Sequence, residues 1–313
     1  MNRKIGTLYK LKWPWWYLRA TVRPPVKAPF IPLKSGDFSQ SEIVLSFVGD
    51  MMGVGHRHLE LSPELKTWIG GSTHFCFNLE SLVSASFKLP LIHQITRHYH
   101  FYQEIRSQFP KLKLLANLAN NHIDDLNQQE TDLCFSGLSQ LGVQLFGSRE
   151  VPAVELAPRL KLLGATTWYT HAKTRANCFD PQQVISDESF LLYLHAGDEF
   201  RLTVNPELVD LESKLPANVL ALLGHHTHTP LPIEKKSRFV AWSLGNFCIA
   251  FGGNPVRYGE MVKVGLRQKG GEWEINAHQW SFLKITPSWK KVKIELVEHC
   301  PFYQKVIVDK KES

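Results

Sequence analysis

The sequence predicts an α/β body over residues 42–300, preceded by a basic, Pro/Trp-rich arm (1–41) and followed by a short tail (301–313). Three observations carry this. Short apolar runs recur from Glu42 onward, each bounded by polar residues or glycine. Helix-like stretches separate several of them. After Val262 the pattern changes to alternating, β-rich segments. With 43% apolar residues in 313, the chain holds enough hydrophobic material for a sizeable core.

The apolar runs are 43–48, 75–79, 112–118, 160–163, 190–194, 219–223 and 239–244. Runs of this length, closed by turn-forming residues, read as buried strands. The clearest helix is 128–141, where Cys134, Leu138 and Leu141 share one face and Gly142 supplies a stop. Strands alternating with helices predict sheets covered by helices. The segments 262–266, 273–279 and 292–297, with Lys269-Gly270-Gly271 as a turn, read as antiparallel strands closing the same body.

In the arm, Pro14, Pro24, Pro25, Pro29 and Pro32 argue against one continuous helix. Trp13, Trp15, Trp16 and Tyr17 cluster there among basic residues. Such a mixture suits a membrane interface or a polyanionic partner. The other reading is a strap that buries its tryptophans on the body.

The net charge of +7 resides in the arm. Residues 1–40 hold eight basic side chains (Arg3, Lys4, Lys10, Lys12, Arg19, Arg23, Lys27 and Lys34) against Asp37, and the rest balances 28 against 28. A neutral body argues against specific nucleic-acid binding. Cys76, Cys134, Cys178, Cys248 and Cys300 are scattered and lack a CxxC spacing, so they read as reduced thiols rather than a disulfide or zinc framework. No apolar run reaches the roughly 18–20 residues that span a bilayer, and no apolar segment of a signal peptide follows the basic N-terminus. A cytoplasmic location is therefore expected, with peripheral attachment through the arm as the variant.

The informative pattern is what ends the runs. Five lead into metal-ligand residue types: Asp50, then Asn78-Leu79-Glu80, then Asn120-Asn121-His122, then His195, then His225-His226-Thr227-His228. Open α/β sheets bind ligands at the carboxyl ends of their strands. Carboxylates supply hard anionic oxygen, neutral imidazole suits Mn, Zn or Fe, and an Asn oxygen adds a ligand without charge. Such a set, lacking thiolate, points to a hydrolytic centre of one or two ions rather than a structural zinc site. Ser243-Leu244-Gly245-Asn246 lacks the Gly-x-Ser-x-Gly nucleophile pattern and reads as a turn shaping the floor of the site.

The blocks Phe47-Val48-Gly49-Asp50-Met51-Met52, Asn78-Leu79-Glu80, Ala119-Asn120-Asn121-His122, Gly224-His225-His226-Thr227-His228 and Ser243-Leu244-Gly245-Asn246-Phe247 resemble, in order, the signature of the capsule-biosynthesis CapA family. That family is associated with poly-γ-glutamate capsule synthesis and is similar to the calcineurin-like metallophosphoesterases. The resemblance spans about residues 42–255. It implies a four-layer α-β-β-α sandwich. It also implies metal ligands at Asp50, Glu80, Asn121, His195, His226 and His228, with Glu80 bridging, and catalytic-site positions at His122, Asp125 and Glu199. Asp50 is followed by Met51-Met52 where the wider superfamily has Asp-x-His, which leaves one nitrogen ligand missing; His56 and His58 in the next loop are the alternatives for it. Ala196 and Leu126-Asn127 also depart from the family pattern.

The function expected is a metal-dependent, capsule-linked hydrolase using metal-activated water on a phosphoester or a γ-glutamyl amide. The alternative is a non-catalytic accessory that binds an anionic polymer within a capsule synthesis or export complex.

Overall fold

A computed structural model describes residues 3–4, 11–12, 14–15, 17–18, 34–84, 95–96, 99–169, 173–250 and 252–303. The tail beyond Tyr303, and Trp13 and Trp16 of the arm, lie outside the described residues.

Two sheets form the centre. The larger is built on β1 (Ile43–Met51), whose nine residues are all buried. Parallel to it run β3 (His74–Leu79), β4 (Lys113–Asn117) and β5 (Val143–Phe146). On its other edge β13 (Tyr258–Lys269), β14 (Glu272–Pro287) and β15 (Lys291–Val297) form an antiparallel meander, with β2 (His58–Leu61) outermost. The β-rich C-terminal segments thus extend the same sheet, and Gly270 and Gly271 make their turn with φ of +62° and +86°. The short strand β12 (Asn246–Cys248) pairs with the end of β1.

The smaller sheet runs β6 (Ala153–Ala157), β7 (Leu160–Thr166), β8 (Ser189–His195), β9 (Val219–His225), β11 (Phe239–Leu244) and β10 (Pro230–Lys235) in space. Its four central strands are parallel, and β6 and β10 cap the edges antiparallel.

Period-two patterning assigns each face. Leu45, Phe47, Cys76 and Leu115 of the large sheet pack against Leu162, Tyr193, Leu223 and Ala241 of the small one. The outer face of the large sheet, with Phe75, Phe77 and Leu114, carries helices α1 (Pro63–Gly70), α2 (His100–Gln108) and α3 (Gln128–Gln140). The outer face of the small sheet, with Leu192, Leu222 and Trp242, carries α4 (Pro206–Lys214). The layer order is α-β-β-α, the sandwich that the family resemblance implies. Helix α3 begins at a capping box between Asn127 and Glu130, and Gly142 follows its end with φ +73°.

All five cysteines are free thiols, and four are buried. Among the described residues no helix is long and apolar enough to cross a membrane. In the arm, Leu11, Lys12, Pro14, Trp15, Tyr17 and Leu18 are helical. Of the arm's tryptophans only Trp15 is described, and it is exposed, whereas Tyr17 touches the body. Its ring meets Phe200 edge-on at 5.3 Å and its hydroxyl accepts from the Gly253 N–H at 2.8 Å.

Glu260 on β13 is fully buried and neither carboxyl oxygen has a hydrogen-bond partner. Burial pushes its pKa well above the ordinary value of 4.5. The folded state therefore holds this proton more tightly than the unfolded chain. The stability it lends is complete below the ordinary value and is lost as pH rises toward the folded one. Glu260→Met should accordingly be more stable than the parent at pH 8, by about 1–3 kcal/mol in urea denaturation. The gap should narrow toward pH 5; a gap independent of pH would contradict the assignment.

Candidate metal centre

The carboxyl ends of β1, β3 and β4 meet those of β8 and β9 at one end of the sandwich, and the polar residues that close these strands converge there. Asp50 is placed first. At Gly49 an added Cβ would lie 1.8 Å from the Gly245 carbonyl oxygen, so only glycine allows that approach. The Asp50 N–H then donates to Gly245 at 2.9 Å.

The Asp50 carboxylate is fully buried and surrounded. Oδ1 accepts from Asn78 Nδ2 at 2.8 Å and lies 3.2 Å from His225 Nδ1. Oδ2 accepts from the His226 backbone N–H at 3.1 Å and lies 3.1 Å from His228 Nδ1. Burial alone would raise this carboxyl, but its bonds to His225 and His228 outweigh burial and hold it well below the usual range. The same pairing, against burial, raises His228 to about 10.

Asn78 Nδ2 also donates to Glu80 Oε2 at 2.5 Å, so one amide ties the two carboxylates together. Burial, then the Asp50 charge, pushes Glu80 well above its ordinary value. Glu80 Oε1 has no hydrogen-bond partner, and neither ring nitrogen of the fully buried His226 has one. His195 lies 4.2 Å from the His226 ring, and its Nε2 is 2.7 Å from Asn121 Oδ1. Burial, then neighbouring imidazoles, holds His195 and His226 well below the ordinary histidine value, so both present neutral nitrogens.

Buried polar groups are normally satisfied, and Glu80 Oε1 and the two His226 nitrogens are not. The set is rich in acceptors and poor in donors, which is what a cation completes. Among the described residues, two groups of side chains bring ligand atoms within 4.8 Å of one another: Glu80, His195 and His226, and Asp50, His195 and His225. The residues present therefore fit a divalent ion.

His122 Nδ1 lies 2.8 Å from Asp125 Oδ2, and its Nε2 lies 3.8 Å from Glu80 Oε1. Glu199 is buried and its charge acts on both Glu80 and His228. All nine residues named from the sequence thus fall in or beside one cluster. The loop alternatives for the missing nitrogen do not: His58 pairs with Glu104 at 2.6 Å and His56 lies at the Trp289 carbonyl. His225 stands next to Asp50 instead. It received no role from the sequence, although period two along β9 puts it on the inward face with Ala221 and Leu223. Asn117 was missed outright, and Asn78 and Asn246 stand in motifs quoted from the sequence but received no individual role. Asn117 Nδ2 is 3.3 Å from His225 Nε2, and Asn246 Oδ1 is 3.0 Å from His228 Nδ1.

The pattern described as "Bacterial capsule synthesis protein PGA_cap" matches residues 180–250. Over that segment, which includes His195, Glu199, His226 and His228, the chain carries the capsule-synthesis signature, bearing out the family resemblance read from the sequence. Among solved structures, the chain is similar to the calcineurin-like phosphoesterase YfkN from Bacillus subtilis, at 11% identity and a TM-score of 0.33. That similarity covers 77% of this chain and 90% of that one. No curated protein sequence matches the chain.

His226 and His228 have φ of +95° and +58°, a region that L-residues rarely occupy. Holding such a residue there costs about 1–3 kcal/mol. At position 226 the usual ranking of small residues should invert. His226→Gly should be more stable than His226→Ala by about 1 kcal/mol or more in urea denaturation, because only glycine adopts that φ freely. Equal stabilities would show that the loop relaxes out of the left-handed region.

Proposed function

We propose that this protein is a metal-dependent hydrolase of the capsule-synthesis type, acting on a phosphoester or γ-glutamyl bond of an anionic substrate. The observation that carries the reading is the partnerless set at the centre: Glu80 Oε1 and both nitrogens of His226, fully buried between two sheets. Glu80, Asn121, His195 and His226 would hold one ion. Asp50, Glu80 and His228 would hold a second, with His225 beside them. A divalent ion bound there, Mn, Zn or Fe by its mixed donor set, would polarise the scissile group and activate water.

The chain's own residues supply the rest. His122 is oriented by Asp125 so that Nε2 faces the cluster at Glu80, and its ring retains some solvent access, so it can meet charge that develops on substrate. Asp125 acts through His122 as a positioning residue. Glu199 adds negative charge beside His228 and balances its positive ring. Asn78 fixes the spacing of the two carboxylates.

One observation favours the second reading, a non-catalytic accessory that binds an anionic polymer in a capsule-synthesis complex. Both Asp50 oxygens are already engaged by protein donors, which weakens the case for a second ion.

Purified protein should retain at least one Mn, Zn or Fe per chain by elemental analysis. His226→Ala should lose that metal and reduce hydrolysis across a panel of phosphoesters and γ-glutamyl peptides by about 100-fold or more, equivalent to about 2.7 kcal/mol. Absence of bound metal, together with no activity under any added divalent ion, would reject the enzyme reading and leave the accessory one.

A further inference from the structure

The loop that carries His122 is tied to the rest of the protein at two places, and different residues make the two ties. It joins β4 to α3 and holds Asn121, His122 and Asp125. Its front is fixed from the centre itself. Asn120 Nδ2 donates to the Leu79 carbonyl at 2.9 Å, and Asn121 Oδ1 lies 2.7 Å from His195 Nε2. Behind His122 the hold passes to Arg175.

Arg175 follows β7 in a segment that is itself anchored. Its carbonyl accepts from the Arg149 N–H at 2.9 Å. Two residues on, the Asn177 N–H donates to the Gly147 carbonyl and the Asn177 carbonyl accepts from the Thr166 N–H, each at 2.9 Å. From this base the guanidinium spans the loop. Nε donates to Asp124 Oδ1 at 3.0 Å, and Nη2 donates to the carbonyls of Ile123 and Leu126 at 2.9 Å each. The Arg175 backbone N–H reaches the same Asp124 oxygen at 3.2 Å. Ile123 follows His122 and Leu126 follows Asp125, so the grip brackets the pair. A planar guanidinium can hold several acceptors at set angles; an ammonium on a flexible stem cannot.

Packing alone would not fix the loop in this way. Ile123 and Leu126 are buried in the core, but apolar contact is non-directional. Within the loop, the Asp125 N–H donates to the His122 carbonyl at 3.0 Å and the two side chains meet at 2.8 Å, so the pair moves as a unit. Whatever sets that unit sets the 3.8 Å between His122 Nε2 and Glu80 Oε1.

We propose that Arg175 is the positioning residue of the His122–Asp125 pair, holding Ile123–Leu126 so that His122 Nε2 faces the metal centre. The proposal rests on the hydrolase reading given above. Because Asn121 is tied separately, the clamp governs what His122 does without governing whether the centre is filled.

The test is a double-mutant cycle in the full chain. Arg175→Lys should lower kcat on the best phosphoester or γ-glutamyl substrate of the panel by about tenfold or more, with metal content unchanged. In a His122→Gln background the same substitution should change kcat by less than about twofold, because the residue it acts through is gone. Equal losses in both backgrounds would make Arg175 a structural residue only and overturn the proposal. Loss of metal from Arg175→Lys would overturn it too, since the clamp would then act on Asn121. A second readout needs no activity. The ring nitrogens of His122, identified by nuclear magnetic resonance through their absence in His122→Gln, should report one tautomer with the proton on Nδ1 in the parent and a mixture in Arg175→Lys. An unchanged tautomer would sink the idea. If the parent hydrolyses nothing, the hydrolase reading fails, and the ring-nitrogen signals alone decide the clamp. Should the lysine variant not fold, Arg175→Gln carries the same comparisons.

Discussion

The buried carboxylate of Asp50 is the constraint on which the rest of this structure turns. An ionised carboxylate out of contact with water is tolerable only when several donors surround it. Its donors come from both sheets: Asn78 at the end of β3, His225 at the end of β9, and the backbone of His226 and ring of His228 in the loop that follows. The two sheets therefore cannot slide past each other without stripping the charge of its partners. The apolar interface between them supplies most of the stabilising area, but it is non-directional. The Asp50 network supplies register. The hydroxyl of Tyr193, which donates to the Val48 carbonyl, adds a second polar tie across the same interface.

Holding the network in place uses backbone that most sequences avoid. Gly49 is pressed against Gly245, and His226, His228 and Phe200 occupy the left-handed region. Glycine or asparagine would ordinarily stand at such positions. The side chains found there are instead imidazoles aimed inward and an aromatic ring that covers one of them. Strain of this kind persists where the surroundings over-determine it, and in the folded protein that means where the side chain is needed. Trp168 completes the enclosure: its ring lies 5.7 Å from that of His226, and its indole N–H donates to the Gly197 carbonyl.

Much of this was legible in the sequence, for a physical reason. Buried parallel strands read as apolar runs, so polar residues that end them stand out, and Asp50, Glu80, Asn121, His195, His226 and His228 were all found that way. The strands after Val262 were legible too, because half-buried antiparallel strands alternate. What escaped was polar structure inside the runs and beyond their ends. His225 was masked by its neighbours in a histidine-rich loop, although it lies on the inward face. Asn117 looks like an ordinary strand residue until the second sheet places His225 against it, and Asn78 until its strand neighbour Asp50 is seen to need a donor. The missing nitrogen next to Asp50 was sought in the following loop because sequence proximity is the only distance a sequence offers. In the fold, the chain after β1 leads away to β2, where His58 meets Glu104 of α2, and β9 brings the histidine.

On the proposed reading, the two halves of the centre are not equivalent, and the difference follows from hydrogen-bond accounting. A cation entering beside Asp50 must compete with Asn78, His225, His226 N–H and His228, and hydrogen bonds to charged groups contribute roughly 1.5–3 kcal/mol each. His228, held protonated by Asp50, must also release its proton before it can act as a ligand. On the other side, both nitrogens of His226 are without hydrogen-bond partners, and Glu80 Oε1 has only the carboxyl's own proton to release. The Glu80–His195–His226 half should therefore fill first. A second ion would follow only if substrate or the first ion weakened the hold of the histidines on Asp50. Asn78 links the halves, because its amide donates to Asp50 and to Glu80 together, so an ion drawing on Glu80 also alters the donor shared with Asp50. The amide that sets the spacing of the carboxylates is thereby also the route by which occupancy of one half would be felt in the other.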